Sequence, residues 1–189
     1  VNDYVNAILG GEYIQKGDTV NAEWFGVPQE RRRHMVIGIR KDLYGDVKLE
    51  LPKAPENLVV PTVGQAIMDL ASYEVGYNKE FEEVLYTGEE VLSDYAKQMR
   101  EGSVSVKNHI TTQTTKTALE RFKQIQPGKN FHSLSKKMKS TYSKPERTQN
   151  TIYLRLEPDA PSGTVVNVRK SMWIHPTLDR AVTVREAAR

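Results

Sequence analysis

Three consecutive arginines, Arg31 to Arg33, stand between the segment Gly26 to Glu30 and an apolar run from His34 to Ile39. Each guanidinium is a planar, permanently charged group whose donors suit phosphates, carboxylates and polar ring edges. The apolar run predicts a strand, and ligand sites in open α/β sheets form at strand ends. The segment could therefore form a binding site where a strand begins. On spacing alone, however, the pattern favours a solvated run of surface charge.

Charge is distributed unevenly along the chain. Residues 42–94 carry three lysines against twelve acidic residues, a net charge of −9, and residues 95–147 carry twelve Lys or Arg against three acids, a net charge of +9. A basic block of this size favours a face that binds a polyanion such as nucleic acid. The alternative is two solvated surfaces that partly neutralise each other.

Composition limits the class of protein. The 189 residues are 38% hydrophobic, with a net charge of +3, a mean hydropathy of −0.58 and no cysteine. This length predicts one domain, or one domain with an appendage, and enough apolar material for a core. The sequence contains no apolar run of membrane-spanning length. The lack of cysteine excludes disulfides, thiolate zinc sites and a cysteine nucleophile on this chain, and the four histidines do not fall at metal-ligand spacing.

The elements that must position these residues can be predicted from local patterns. A helix is expected over residues 2–9, ending at Gly10-Gly11, followed by a strand over 13–22 interrupted by a Gly-Asp turn. The strand at 34–39 is expected to be covered on both faces. Capping-box patterns at Thr62 and Thr183 predict helix starts. The remaining expectations are an extended, proline-containing linker over 49–61, short helices over 93–100 and 118–125, an exposed loop over 133–150, and strands over 151–156 and 163–168.

Several segments together resemble one enzyme family. Residues 26–33 are similar to the eighth conserved motif of DNA cytosine-5 methyltransferases, Gly-Val-Pro-Gln-x-Arg-x-Arg, and Asn21-Ala22 upstream also match. Residues 155–165 resemble the ninth motif. The opening of the tenth is matched by His175-Pro176, Arg180 and residues 183–189, and weaker signatures lie at 63–70, 108–109 and 126–130. Because these elements follow the family's order, the chain is identified as a member.

The resemblance implies a domain organisation. Residues 1–45 would belong to the catalytic domain, residues 46–150 would form a target recognition domain, and residues 151–189 would return to the catalytic domain. The expected fold class is an α+β fragment. It would combine a few strands and helices from the edge of a Rossmann-like α/β methyltransferase domain with a small mixed recognition domain.

The family's other motifs are missing from this chain. The Pro-Cys nucleophile, the Phe-x-Gly-x-Gly loop for S-adenosylmethionine and the Glu-Asn-Val motif would lie upstream of residue 1. The resemblance thus implies a fragment that is inactive alone and binds no cofactor itself, within an enzyme that uses S-adenosylmethionine. Expected partners are double-stranded DNA, the rest of the methyltransferase in the bacterial cytoplasm, and, through uncovered strands, a second copy; no membrane is expected. The alternatives are a freestanding DNA-binding module and the second subunit of a split methyltransferase.

The resemblance also assigns site residues. Arg33 would reach the O2 side of a cytosine flipped out of the duplex, Arg31 and Gln29 would hold the neighbouring geometry, and Arg32, at the variable position, would be solvated. The phosphate-binding candidates are Lys136, Lys137, Lys139, Lys144 and Arg147. The candidates for base contacts are Gln113, Lys129, Asn130 and Arg147, with plain surface residues as the alternative.

Other polar and aromatic residues are predicted to be structural. Glu186 is expected to cap backbone N–H groups or to pair with an arginine, and His175-Pro176 to shape the chain before the last helix. The aromatic side chains Trp24, Phe131 and Trp173 are expected to pack in the protein rather than to stack on bases.

Overall fold

The computed structural model describes residues 1–45, 48–77 and 83–189, and the chain divides into two compact units, residues 1–60 and 61–189. Short helices and two-stranded sheets give an α+β fold, which confirms the α+β part of the predicted fold class. The expected domain boundary at residue 46 lies outside the described residues, and the functional division of the chain stays a prediction. Within the described ranges, no helix has the length and apolar character needed to cross a bilayer.

The first unit is a helix followed by a hairpin. Helix α1 (Asn2–Leu9) ends at Gly10, as predicted, and strands β1 (Tyr13–Asn21) and β2 (Arg32–Arg40) pair antiparallel over their whole length. A 3-10 turn, Ala22–Phe25, and the left-handed Gly26 connect the strands. The side chain of Asn2 fastens α1 to the hairpin by donating to the Gly17 carbonyl at 3.2 Å.

Two expectations for this unit are wrong. The Gly-Asp turn inside β1 does not exist, because Gly17 pairs with Val36 and Asp18 with Met35 in an unbroken register. Strand β2 is not covered on both faces by the described residues, since its side chains are exposed or half-buried and Met35 is 42% exposed. A continuous apolar run is typical of a strand buried on both faces, but an antiparallel pair of strands can leave one face exposed to solvent.

The second unit consists of short elements joined by long ordered connections. Its elements are α2 (Val63–Ile67), β3 (Glu83–Leu85), α3 (Asp94–Arg100), β4 (Ser105–Lys107), α4 (Lys116–Gln124), α5 (Lys136–Lys139), α6 (Val168–Ser171) and α7 (Val184–Ala187). Both predicted capping boxes are confirmed. The Thr62 and Thr183 side chains accept hydrogen bonds from the backbone N–H groups of Gln65 and Glu186, respectively. The side chains of Gln65 and Glu186 in turn accept hydrogen bonds from the backbone N–H groups of the two threonines. The predicted helices near 93–100 and 118–125 are α3 and α4, and residues 48–61 carry no helix or strand.

Three hydrophobic clusters form the core of this unit. The largest surrounds Phe122 and Phe131, which are both fully buried, and it includes Ile174 and Ala181 from the C-terminal part of the chain. A second cluster joins α2 to Trp173 and Val182, and a third lies between Leu70 and β4. Residues 61–150 therefore share a continuous interior with residues 151–189. The predicted packing roles of Phe131 and Trp173 are confirmed, and Trp24 in the first unit is half-buried.

The predicted strands over 151–156 and 163–168 do not form. The chain turns at Tyr153, which has a positive φ of 53°, and in 151–156 only Arg155 makes an isolated bridge, to Ile174. Residues 133–150 are not a plain exposed loop either. They contain α5 and bury Leu134, because apolar side chains spaced through a lysine-rich segment pack on the Phe131 cluster.

Arg155 ties these irregular segments together. Its guanidinium donates to the carbonyls of Phe122 and Ile125 at 2.7 and 2.6 Å, capping the end of α4. It also binds the carbonyls of His175 and Leu178 at 3.0 and 3.1 Å. The Asp179 carboxylate completes the set at 2.6 Å. Since the side chain is buried, these five acceptors compensate its desolvation and fix three segments relative to one another.

Candidate functional site

The arginine segment is held in place by Asn21, at the end of β1. The Asn21 side chain is buried, accepts the backbone N–H of Arg31 at 2.9 Å and donates to the Glu23 carboxylate at 2.8 Å. The backbone N–H of Ala22 donates to the Arg31 carbonyl at 3.0 Å. These bonds close the connection between the strands and fix where β2 begins. The sequence indicated Asn21 only as a family match and did not predict these two side-chain hydrogen bonds, which we call the Asn21 clamp.

The predicted pocket residues lie in and just before β2. Gln29 is half-buried, and its backbone N–H donates to the Val27 carbonyl at 2.7 Å. Arg31 and Arg33 are exposed, and Arg33 pairs with Val20 across the hairpin while Arg32 pairs with Asn21. Because successive strand residues point to opposite faces, Arg33 and Arg32 lie on different sides of the hairpin. The structure thus brings these side chains to one end of the hairpin and separates Arg33 from Arg32.

The second candidate site is the basic loop, which we define as residues 132–151. Hydrogen bonds join its two ends: Phe131 N–H to the Ile152 carbonyl at 3.1 Å, and the Asn130 amide to the Asn150 carbonyl at 2.9 Å. His132 Nε2 lies 2.8 Å from the Thr148 carbonyl. With five Lys or Arg and one Glu, the loop has a formal charge of +4. A cationic loop closed at its base is suited to contact phosphates.

The predicted DNA-contacting residues fall into two groups. The first group is exposed and forms no ion pair within the described ranges; it consists of Gln113, Lys129, Lys136, Lys137, Lys144 and Arg147. In the second group, the Asn130 amide is occupied, since its oxygen accepts the His132 N–H at 3.0 Å. Lys139 is half-buried and donates to the His132 carbonyl at 2.6 Å. The first group is available to a ligand without breaking internal bonds.

Part of the basic block does not face solvent. Arg100 is buried against the Asp69 and Glu90 carboxylates at 2.7 and 3.1 Å, and lies 3.9 Å from the centre of the Tyr86 ring. Burial raises the pKa of Glu90, but bonds from its own backbone and from Arg100 outweigh this effect and lower it. Acidic and basic blocks thus do neutralise each other at this position, while the cations of the basic loop remain free of carboxylates in the described residues.

A buried polar cluster precedes α7. The Nη1 and Nη2 atoms of Arg180 donate hydrogen bonds to the Glu186 carboxylate at 2.8 and 2.6 Å, and the backbone N–H of Thr183 donates to the same carboxylate at 2.8 Å. Burial raises the pKa of Glu186, but these bonds outweigh it, so the carboxylate stays ionised. Glu186 is therefore a cap and an arginine partner, as predicted. His175 accepts the Thr177 and Leu178 N–H groups at 3.2 Å, which confirms that it shapes the chain before α7.

No set of three His, Asp or Glu residues in the described ranges is placed to hold a metal ion.

Comparison with solved structures identifies the fold class. A protein from E. coli named as a DNA modification methyltransferase encoded within a prophage superposes on this chain with a TM-score of 0.68. The superposition covers 99% of this chain and 52% of that protein, at 19% sequence identity. The fold of the described residues is thus similar to that of part of this protein.

Sequence comparison gives the family. The profile of the C-5 cytosine-specific DNA methylases matches residues 4–189, so the chain belongs to this family. The type II methyltransferase M.DdeI of Desulfomicrobium norvegicum is 29% identical over 201 residues, which cover 98% of this chain and 47% of that protein. M.AquIB of Picosynechococcus sp., also a type II methyltransferase, is 34% identical over 86 residues, 46% of this chain and 54% of that protein. The chain spans about half the length of the curated relatives it matches.

Proposed function

We propose that this chain is the target-recognition part of a DNA cytosine-5 methyltransferase, and that it also lends the arginine segment to the base pocket. In this proposal, residues 1–45 belong to the edge of the Rossmann-like catalytic domain and the recognition domain begins after them. The complete enzyme transfers a methyl group to C5 of cytosine in a specific DNA site. This polypeptide, which has no cysteine, is inactive alone.

The arginine segment suits the chemistry of a flipped cytosine. When a nucleophile adds to C6, electron density grows on the ring, and a fixed donor at the ring edge stabilises that state. Arg33 is exposed at the start of β2 and can supply such a donor on the O2 side, while the Asn21 clamp holds the backbone of Arg31. Arg31 and Gln29 would fix the neighbouring geometry. Arg32, on the other side of the hairpin, has no part in the pocket.

S-adenosylmethionine supplies the methyl group of the complete enzyme, but the cleft beside α1 in the first unit does not fit it. The polar cleft of about 390 Å³ beside α1 is lined by asparagine, aspartate, glutamine and lysine side chains, with Val36 as its one large apolar residue. An adenine ring needs apolar walls on its faces, which this cleft lacks. We therefore do not assign binding of S-adenosylmethionine, or any reaction step that involves it, to this cleft.

The basic loop is the observation that carries the proposal. Four exposed cations, Lys136, Lys137, Lys144 and Arg147, project from a loop whose ends are hydrogen-bonded together. Each phosphate neutralised by such a group contributes about 0.9 to the magnitude of the negative slope of log affinity against log salt, and we call this magnitude the salt slope. We expect duplex DNA to bind the chain with a slope of about 3 to 4, if all four cations reach phosphates.

A fluorescence anisotropy titration with a labelled duplex at several salt concentrations tests this expectation. The variant Lys136→Gln/Lys137→Gln should lower the slope by about 2. The matched control is Lys97→Gln, which removes an exposed cation of α3 that is already paired with Asp94 at 2.8 Å. Absence of binding at low salt, or equal slopes for all three proteins, would contradict the proposal.

A second candidate is the subunit of a split methyltransferase. It is supported by one comparison: 86 aligned residues make up 54% of M.AquIB, so that type II methyltransferase polypeptide is shorter than the present chain. Both candidates require a partner polypeptide that carries the Pro-Cys and Phe-x-Gly motifs. Mixing the chain with such a partner should produce methyl transfer to DNA and reduce self-association of the hairpin in residues 1–45. Light scattering and a tritiated-methyl assay on the mixture test both effects.

A further inference from the structure

Arg121 lies in the interior of the second unit, directly beneath the basic loop. It is 5% exposed and stands on the same face of α4 as Ala118 and Phe122, which are core residues. An arginine at such a position must have every donor satisfied to offset its desolvation. The hydrogen-bond partners of its guanidinium therefore indicate the role of this side chain.

All of these partners lie in the basic loop, except Tyr153, which follows just after the loop ends. Arg121 Nε donates to the Met138 carbonyl at 2.9 Å, and Nη2 donates to the Thr141 hydroxyl at 2.5 Å. Nη1 lies 3.4 Å from the hydroxyl of Tyr153, and the guanidinium carbon is 5.2 Å from the centre of the Tyr142 ring. Burial, followed by the neighbouring Tyr153 hydroxyl, raises the pKa of Tyr142 to about 12, so this ring is neutral beside the cation.

The two loop residues that Arg121 binds, Met138 and Thr141, determine the orientation of the helix that carries Lys136 and Lys137. Met138 is inside α5, which carries Lys136 and Lys137, and Thr141 follows the end of that helix. A helix of four residues is too short to be stable by itself, so its orientation depends on contacts from outside. Within the loop, Leu134, Met138 and Tyr142 provide apolar contacts to the same cluster. Among the described residues, Arg121 is the one whose planar guanidinium binds on both sides of the end of α5, at Met138 and at Thr141.

We propose that Arg121 is the positioning residue of the DNA-contacting surface: it does not touch DNA, and it holds Lys136 and Lys137 in the arrangement that binds phosphates. This inference rests on the proposed DNA-binding function. Ordering flexible side chains during binding reduces affinity, and a loop that is already fixed avoids this reduction. Arg121 thus acts on DNA affinity only through the loop cations.

The test uses Arg121→Lys, which keeps the positive charge but can donate in only one direction. We expect about tenfold weaker binding to a mixed-sequence duplex, because the loop must then be ordered by the DNA. The salt slope should fall by about 1, since the lysines no longer reach all their phosphates at once. A purely structural role would lower the melting temperature and leave the affinity and the salt slope of the folded protein unchanged.

Coupling to the lysines gives the decisive measurement. If Arg121 acts through Lys136 and Lys137, then Arg121→Lys should weaken binding less than about twofold in the Lys136→Gln/Lys137→Gln background. If the two effects multiply instead, the proposal is overturned. Equal affinity and equal slope for Arg121→Lys and the wild-type chain would overturn it as well.

A milder variant covers the case in which Arg121→Lys does not fold. Thr141→Val removes one acceptor of the fork at an exposed position and should show the same changes at a smaller size. Hydrogen exchange of residues 136–142, measured without DNA, should be faster in either variant. Unchanged exchange would refute the positioning role. If the wild-type chain itself fails to bind DNA at low salt, the proposed function has failed, and the exchange result still decides whether Arg121 orders the loop.

Discussion

Lowering the pH from 7 to 5 is expected to destabilise residues 61–189 through His175, which is fully buried. Its Nδ1 accepts the backbone N–H groups of Thr177 and Leu178, both at 3.2 Å. The proton of the neutral ring therefore belongs on Nε2, which lies 3.8 Å from the Glu186 carboxylate. A second proton would have to occupy Nδ1, where it would displace both N–H groups and open the turn.

The magnitude follows from the pKa of His175. Burial lowers this pKa from 6.5 to about 4, against the opposing charge of Glu186 and with smaller contributions from Arg180 and Arg155. The unfolded chain takes up the proton near pH 6.5 and the folded chain only near pH 4, so stability is complete above 6.5 and is lost as the pH falls towards 4. Between pH 7 and 5 the loss is about 2 kcal/mol. Burial also lowers the pKa of His109, which adds a loss in the same direction.

Urea unfolding at pH 7, 6 and 5 measures this effect, with the fluorescence of buried Trp173 as the signal in a Trp24→Phe background. The control is His175→Asn, because an asparagine oxygen can accept turn N–H groups two and three residues on and does not titrate. The variant is less stable at pH 7, but its pH-dependent loss should be smaller by about 2 kcal/mol. Identical pH dependence in the two proteins would refute the assignment of the effect to His175.

Two further predictions concern single residues in each unit. Gly128 and Gly88 have φ values of +74° and +80°, so replacing either with alanine should destabilise the fold by about 1 kcal/mol through backbone strain. A Cβ at Gly128 would also meet the Glu157 carboxylate, but this side chain is exposed and can turn away, so urea unfolding should give similar losses for the two variants. In the enzyme restored by an upstream half, Arg33→Ala should raise the barrier to methyl transfer by about 3–4 kcal/mol with little change in DNA affinity, and Arg32→Ala should be nearly silent. Equal single-turnover rates for the two variants would show that the pocket role is assigned to the wrong arginine.

Local chemistry was enough to predict the helix starts. The capping boxes at Thr62 and Thr183 form because each involves only side chains and N–H groups three residues apart, and no distant contact competes with them. The roles of Glu186 and His175 follow from the same local bonds. The sequence motifs, in turn, predicted the family correctly, although the sequence does not reveal what the motif residues contact.

Tertiary contacts explain what the sequence could not predict. The alternating pattern of residues 151–156 is typical of a strand, but the Arg155 side chain has five acceptors in two other segments. These contacts fix the chain here in place of the hydrogen bonds between strands. Arg121 belongs to the basic block that favoured a polyanion-binding face, but its side chain is buried. Its position between Ala118 and Phe122, on the apolar face of α4, was the signal that it is buried.

The joined ends of the basic loop bear on how such a protein can change in evolution. Phe131 and Ile152 are paired through their backbones, so the distance between the flanking segments does not depend on what lies between them. Doubling the length of a loop closed in this way costs only about 0.6 kcal/mol of chain entropy. Insertions and substitutions can therefore accumulate at the exposed positions between these two residues, while Leu134 and Tyr142, which pack on the Phe131 cluster, stay the same. A lineage could change the length and charge of this loop without having to evolve a new scaffold.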